Sequence, residues 1–80
     1  MPSIRTFPNG PYRFFFYSFD CNEPEHVHVR RDDSVCKFWL EPLVLAGNEG
    51  FSSVELNRIR GLIKDHKTKI QEAWYEHCGC

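Results

Sequence analysis

His26-Val27-His28-Val29-Arg30-Arg31-Asp32-Asp33-Ser34-Val35-Cys36-Lys37-Phe38-Trp39-Leu40, residues 26–40, reads as two strands joined by a tight turn. In the first half Val27 and Val29 alternate with His26 and His28, and a side-chain period of two sends the pairs to opposite faces. In the second, Cys36, Phe38 and Leu40 share one face while Val35, Lys37 and Trp39 share the other. Asp32-Asp33-Ser34 has turn composition, so a hairpin is predicted.

Working outward, residues 12–19 (YRFFFYSF) carry aromatics on both alternating faces beyond Arg13, which predicts another strand. Asp20 to Glu25, with Asn22 and Pro24, reads as loop, and Pro8-Asn9-Gly10-Pro11 as a turn. Downstream of the hairpin Pro42 interrupts pairing. Leu43-Val44-Leu45 predicts one short edge strand before a turn over Gly47–Gly50. Ser52 then offers a helix N-cap, and Ser52 with Glu55 has the spacing of a capping box. Leu56, Ile59, Ile63, His66, Ile70, Ala73 and His77 follow a helical rhythm, flanked by Leu62 and Trp74. One unbroken helix over 53–77 would run about 37 Å, long for so short a chain. A bend is therefore expected at Gly61 or around Asp65–Lys67. The expected fold class is α+β: a small antiparallel sheet of three to four strands, then a C-terminal helix or bent helix pair on one face. Residues 1–80 form one domain, with 1–51 as the sheet part and 52–78 as the helical part.

Composition agrees with a folded chain: 80 residues, 41% hydrophobic and 15% aromatic, argue against disorder. Ten Lys+Arg against eleven Asp+Glu give a formal charge of −1. Neither half is strongly basic, which disfavours purely charge-driven binding to nucleic acid or anionic membrane. No apolar run approaches the roughly 18 residues of a membrane span, and no signal peptide opens the chain. A cytoplasmic protein without a membrane role is expected. By the same compartment rule Cys21, Cys36, Cys78 and Cys80 are expected to be reduced, with Cys78-Gly79-Cys80 a frayed, reactive tail.

The stretch with chemical content is Asn22-Glu23-Pro24-Glu25-His26-Val27-His28-Val29. Imidazoles two residues apart on a strand point the same way, about 6–7 Å apart. That arrangement suits an acid/base pair, His26 and His28, around a phosphate. It also suits two ligands of one metal, with Glu25 as the third and Glu23 or His66 as other available types. Against both stands a structural role, with the rings covering a sheet face. Arg30, Arg31 and Lys37 could form a small anion- or RNA-binding patch, although such charges more often blunt hairpin edges. Trp39, Ile70 and Trp74 are the surplus apolar groups assigned to a partner interface. No cofactor is expected, with a divalent metal as the alternative.

At these residues a resemblance emerges. Met1-Pro2-Ser3-Ile4-Arg5, the Pro24-x-His26-x-His28-Val29 core, Phe38-Trp39-Leu40-Glu41-Pro42 and the closing His66, Ile70 and Trp74 together resemble domain-of-unknown-function family 4160. The resemblance implies a component of a toxin–antitoxin-like two-protein module, with a small cognate protein encoded nearby or a second copy as partner, and with RNA or translation as a target. His26 and His28 match the signature and the cysteines do not. The family supplies no catalytic residues to carry over. The expected function is therefore protein–protein interaction within such a module. A metal-independent ribonuclease-like toxin using the His-x-His pair is the first alternative, and a histidine-based metal-binding regulator the second.

Overall fold

The computed structural model describes residues 10–17 and 20–79. The hairpin forms where alternation places it: β2 (His26–Arg31) and β3 (Ser34–Leu40) pair antiparallel, with Val27 opposite Phe38 and His28 opposite Lys37. Asp32 turns the chain at φ 53, a left-handed conformation that its short polar side chain tolerates. On the other side of β2 lies β1 (Arg13–Phe15), with Phe14 opposite Val29 and Phe15 opposite His28. It is shorter than the strand expected over 12–19, of which residues 18 and 19 lie outside the described residues, as do residues 1–9.

The fourth strand, β4 (Leu43–Glu49), follows a cis Glu41–Pro42 bond and is more than twice the length expected. A register shift lets it continue: Phe38 faces Leu45 but Lys37 faces Gly47, so Ala46 is the extra residue of a bulge. The turn shrinks to the end of the segment, where the Asn48 amide donates to Phe51 O and accepts from Phe51 N. The result is one meander, β1-β2-β3-β4.

Two helices follow, α1 (Ser53–Asp65) and α2 (Lys67–Cys78). Ser52 Oγ accepts from Glu55 N at 3.2 Å, as a cap should. The reciprocal half of the capping box is absent, because the Glu55 carboxylate accepts from Tyr12 Oη at 3.0 Å and from Arg31. It ties the helix start to the sheet instead. The break between the helices falls at His66, in the Asp65–Lys67 region where a bend was expected, while Gly61 stays helical. Phe14, Val27, Val29, Cys36, Phe38 and Leu40 face Ile59, Ile63, Ile70 and Trp74 in one core. The architecture is α+β, a four-stranded antiparallel sheet with two C-terminal helices. Among the described residues no helix is long and apolar enough to cross a membrane.

Candidate functional site

Strand alternation sends His26 and His28 to the sheet face opposite Val27 and Val29, as expected, but not into equally open space. His26 has no exposed surface and His28 is half-buried. The His26 ring meets Trp39 and Trp74 edge to face at 5.4 and 5.1 Å. His28 stacks on Phe15 at 5.3 Å and meets the Tyr17 ring at 4.7 Å. Of the two rings that acid–base chemistry on a phosphate would need accessible, one is sealed.

What lies between them is a carboxylate. Asp20 sits at the head of the 3-10 turn Asp20–Asn22 and is itself buried. Its Oδ1 is 3.1 Å from His26 Nε2, and its Oδ2 is 3.1 Å from His28 Nε2. Oδ2 also accepts from Tyr17 N at 2.7 Å, which fixes the carboxylate to its own turn. On the far side of the ring, His26 Nδ1 donates to Pro24 O at 2.8 Å, with the Glu23 carboxylate 3.9 Å away. A carbonyl only accepts, so Nδ1 carries a proton. The contact between His26 Nε2 and Asp20 lacks the alignment of a hydrogen bond, and Nε2 is a buried nitrogen with no hydrogen-bond partner among the described residues. Burial pushes the His28 imidazole below its ordinary value, against the pull of the Asp20 charge.

Glu25, the carboxylate expected to complete a metal site, points elsewhere: it accepts from Gln71 at 3.0 Å and from Tyr75 Oη at 2.7 Å. Asp20 takes that place. The basic residues separate in the same way. Lys37 reaches Glu23 at 2.6 Å and lies 4.4 Å over the Trp39 ring, beside His28. Hydrogen bonding to this ammonium holds the Glu23 carboxyl below its usual range. Arg30 and Arg31 instead join Arg13 around a polar hollow of about 470 Å³ at the other end of the sheet. Arg13 and Arg30 are direct cross-strand partners, a like-charge pair that costs stability without an anion between them. Arg31 is partly committed to Glu55. Of the residues assigned to a partner interface, Ile70 and Trp74 are core and Trp39 is half-buried beneath Lys37.

Asp20 was missed because nothing in its spacing marks it; five residues of turn and loop separate it from His26. The thiols were misread. Cys21 and Cys78 form a disulfide across 57 residues, joining the turn that carries Asp20 to the end of α2. The expectation of reduced cysteines and a frayed tail rested on the compartment rule, and the fold overrides it by bringing the two side chains together. Cys36 is free and buried, and Cys80 lies outside the described residues.

Comparison with known proteins adds one result. The family model described as Domain of unknown function (DUF4160) matches residues 12–75, which include every strand position and ring of the site except the flanking end of α2. No curated protein and no solved structure matches the chain.

Proposed function

Because this chain belongs to the DUF4160 family, whose description names no activity, we propose a function from the surface the fold leaves open: it acts by protein–protein interaction, as a component of a toxin–antitoxin-like module, and its second small protein docks on the β4 edge. One observation carries this reading. β4 is bonded on one side only among the described residues, and its Leu43-Val44-Leu45-Ala46-Gly47 segment has no charge and no proline. Val44 is 47% exposed. Proteins that work alone blunt such edges with Lys, Pro, bulges, short strands or a covering segment. β4 has the Ala46 bulge, and Arg60 donates to its first carbonyl, Leu43 O, at 3.2 Å, which leaves the apolar Val44–Leu45 stretch between them. A partner strand would satisfy the free N–H and C=O groups and cover the apolar side chains at once. Trp39, opposite Val44 in the ladder, supplies an aromatic anchor beside it. The sealing of His26 supports this reading over a two-imidazole ribonuclease, since a ring without exposed surface cannot exchange protons with a ribose hydroxyl.

The test is co-expression with the small protein encoded beside it, followed by mass determination in solution. A stable complex containing both chains is expected, and it should be weakened when Val44 is replaced by Lys. A strictly monomeric chain that leaves its neighbour free would overturn the reading. A homodimer would move the partner role to a second copy.

The Arg13–Arg30 pair favours one secondary reading, contact with an RNA backbone. Binding would then be salt-sensitive, and lost in an Arg13→Gln, Arg30→Gln double variant. Affinity unchanged by that variant would dismiss it.

A further inference from the structure

Asp20 Oδ2 takes hydrogen bonds from Tyr17 N and His28 Nε2, whereas Oδ1 faces His26 Nε2 across a contact that is not one. If His26 is neutral, its proton is on Nδ1, because that atom donates to Pro24 O. Nε2 then presents a lone pair toward Asp20 Oδ1 across 3.1 Å. Two electron-rich atoms at that distance repel in a buried setting unless a cation shares them. An extra proton on Nε2 would supply the charge, but this nitrogen lacks the alignment of a hydrogen bond to the carboxylate and has no other partner among the described residues.

The geometry points to a divalent transition-metal site formed by Asp20, His26 and His28, a set independent of the partner-docking reading above. One donor atom from each residue lies within 4.8 Å of the others, with His26 Nε2 3.1 Å from Asp20 Oδ1 and His28 Nε2 3.1 Å from Asp20 Oδ2. An ion bound tetrahedrally at about 2.0–2.2 Å holds its donors about 3.3–3.6 Å apart, so the Asp–His contacts are near that spacing and the widest separation has to close by about 1 Å on binding. The hydrogen bond from Nδ1 to a main-chain carbonyl is the outer contact that metal-binding histidines use to fix tautomer and ring orientation. The donors come from rigid elements: two from a central strand, and one from a turn covalently joined to α2 through Cys21–Cys78. Two imidazoles and one carboxylate suit Zn²⁺, Co²⁺, Ni²⁺ or Fe²⁺ rather than Ca²⁺ or Mg²⁺. His28, the least buried of the three, borders an open hollow of about 240 Å³ with Tyr17, Lys37, Gly47 and Asn48, while Asp20 and His26 are buried. Three protein donors are the number of an exchangeable centre, not the four of a structural one.

The experiment uses the full, disulfide-bonded chain after chelator treatment, titrated with Zn²⁺ alone. We expect one saturable equivalent, a rise in melting temperature with Zn²⁺ concentration, and ligand-field bands when Co²⁺ replaces it. Ring-nitrogen NMR should show Nε2 of His26 and His28 moving on Zn²⁺ addition while His66 and His77 stay in place. The exposed edge of the site makes His28→Ala the variant of choice. It should lower affinity by about 100-fold or more, with His77→Ala unaffected, given that even outer contacts contribute 10–100-fold. Since the NMR readout is made on the unaltered chain, the proposal does not depend on the variant folding. A His26 ring protonated on both nitrogens and indifferent to Zn²⁺ would make the cluster a plain ion pair and overturn the proposal. So would Zn²⁺ binding that survives His28→Ala unchanged.

Discussion

At the scale of single residues, Asp20 bears more than its size suggests. Its carboxylate is the shared neighbour of two rings and the acceptor of Tyr17 N, and it is buried. Replacing it with Ala leaves those groups facing an apolar void. A loss of about 1–3 kcal/mol is expected, measurable by urea denaturation; a change within error would mean water replaces the carboxylate at no cost. Cys36 shows burial acting on chemistry. Packed against Val29 and Phe38 on the core face, its thiol is pushed by burial from an ordinary 9.0 up to about 12. It should therefore resist thiol reagents at about pH 8 in the native state and react once the chain is unfolded. The sign of its pH dependence follows. Between 9.0 and about 12 the unfolded thiol ionises and the folded one does not, so the folded state binds more protons and stability falls as pH rises. Comparing the alkaline melting curve with that of Cys36→Ala isolates this contribution, and the variant should show the shallower decline.

Among elements, the joints carry the specificity. Gly50 adopts φ +99, and a Cβ there would sit 2.6 Å from Ser34 Oγ and 3.3 Å from Ser34 Cα. Gly50→Ala should cost about 1–3 kcal/mol through backbone strain and crowding of the β3 start, while Gly47→Ala, with open space around it, should be nearly silent in the same thermal melt. The join between α2 and the β1–β2 connection has two kinds of fastening. One is the Cys21–Cys78 bond; the other is a set of contacts from Gln71 and Tyr75 to Glu25 and from His77 Nε2 to Tyr17 O at 2.9 Å. Reduction should lower stability by about 2–4 kcal/mol by freeing the unfolded chain, and hydrogen exchange should rise first in the Asp20–Asn22 turn and the last turn of α2. Uniform exchange throughout would mean that the join is not a separate unit. These joints also mark where sequence reading stops. The β2–β3 hairpin, the Ser52 cap and the break near His66 were legible because each depends on periodicity or on neighbours within a few residues. The Ala46 bulge, the Asp20 bridge and the disulfide depend on which distant segments meet, and His26 and His28 look alike by alternation until Trp74 arrives from a helix nearly fifty residues away to cover one of them.

The whole molecule is asymmetric in how it treats its two sheet faces and its two edges. One face is closed by α1 and α2 over Val27, Val29, Phe38 and Leu40. The other is closed around His26, Asp20 and Phe15, and opens toward Lys37, Trp39 and Val44. A chain this small buries a modest share of its surface, so an uncovered apolar edge costs it proportionally more than it would a large domain. β4 is that edge. If it exists to receive a partner, charge placed there should disrupt association without harming the fold, because Val44 is 47% exposed and contributes little to the core. Val44→Lys is expected to change stability by no more than about 0.5 kcal/mol, and to abolish formation of the two-protein complex in size-exclusion chromatography with light scattering. The reverse pattern, a destabilised chain that still binds its neighbour, would show that Val44 serves packing and that the partner sits on another surface.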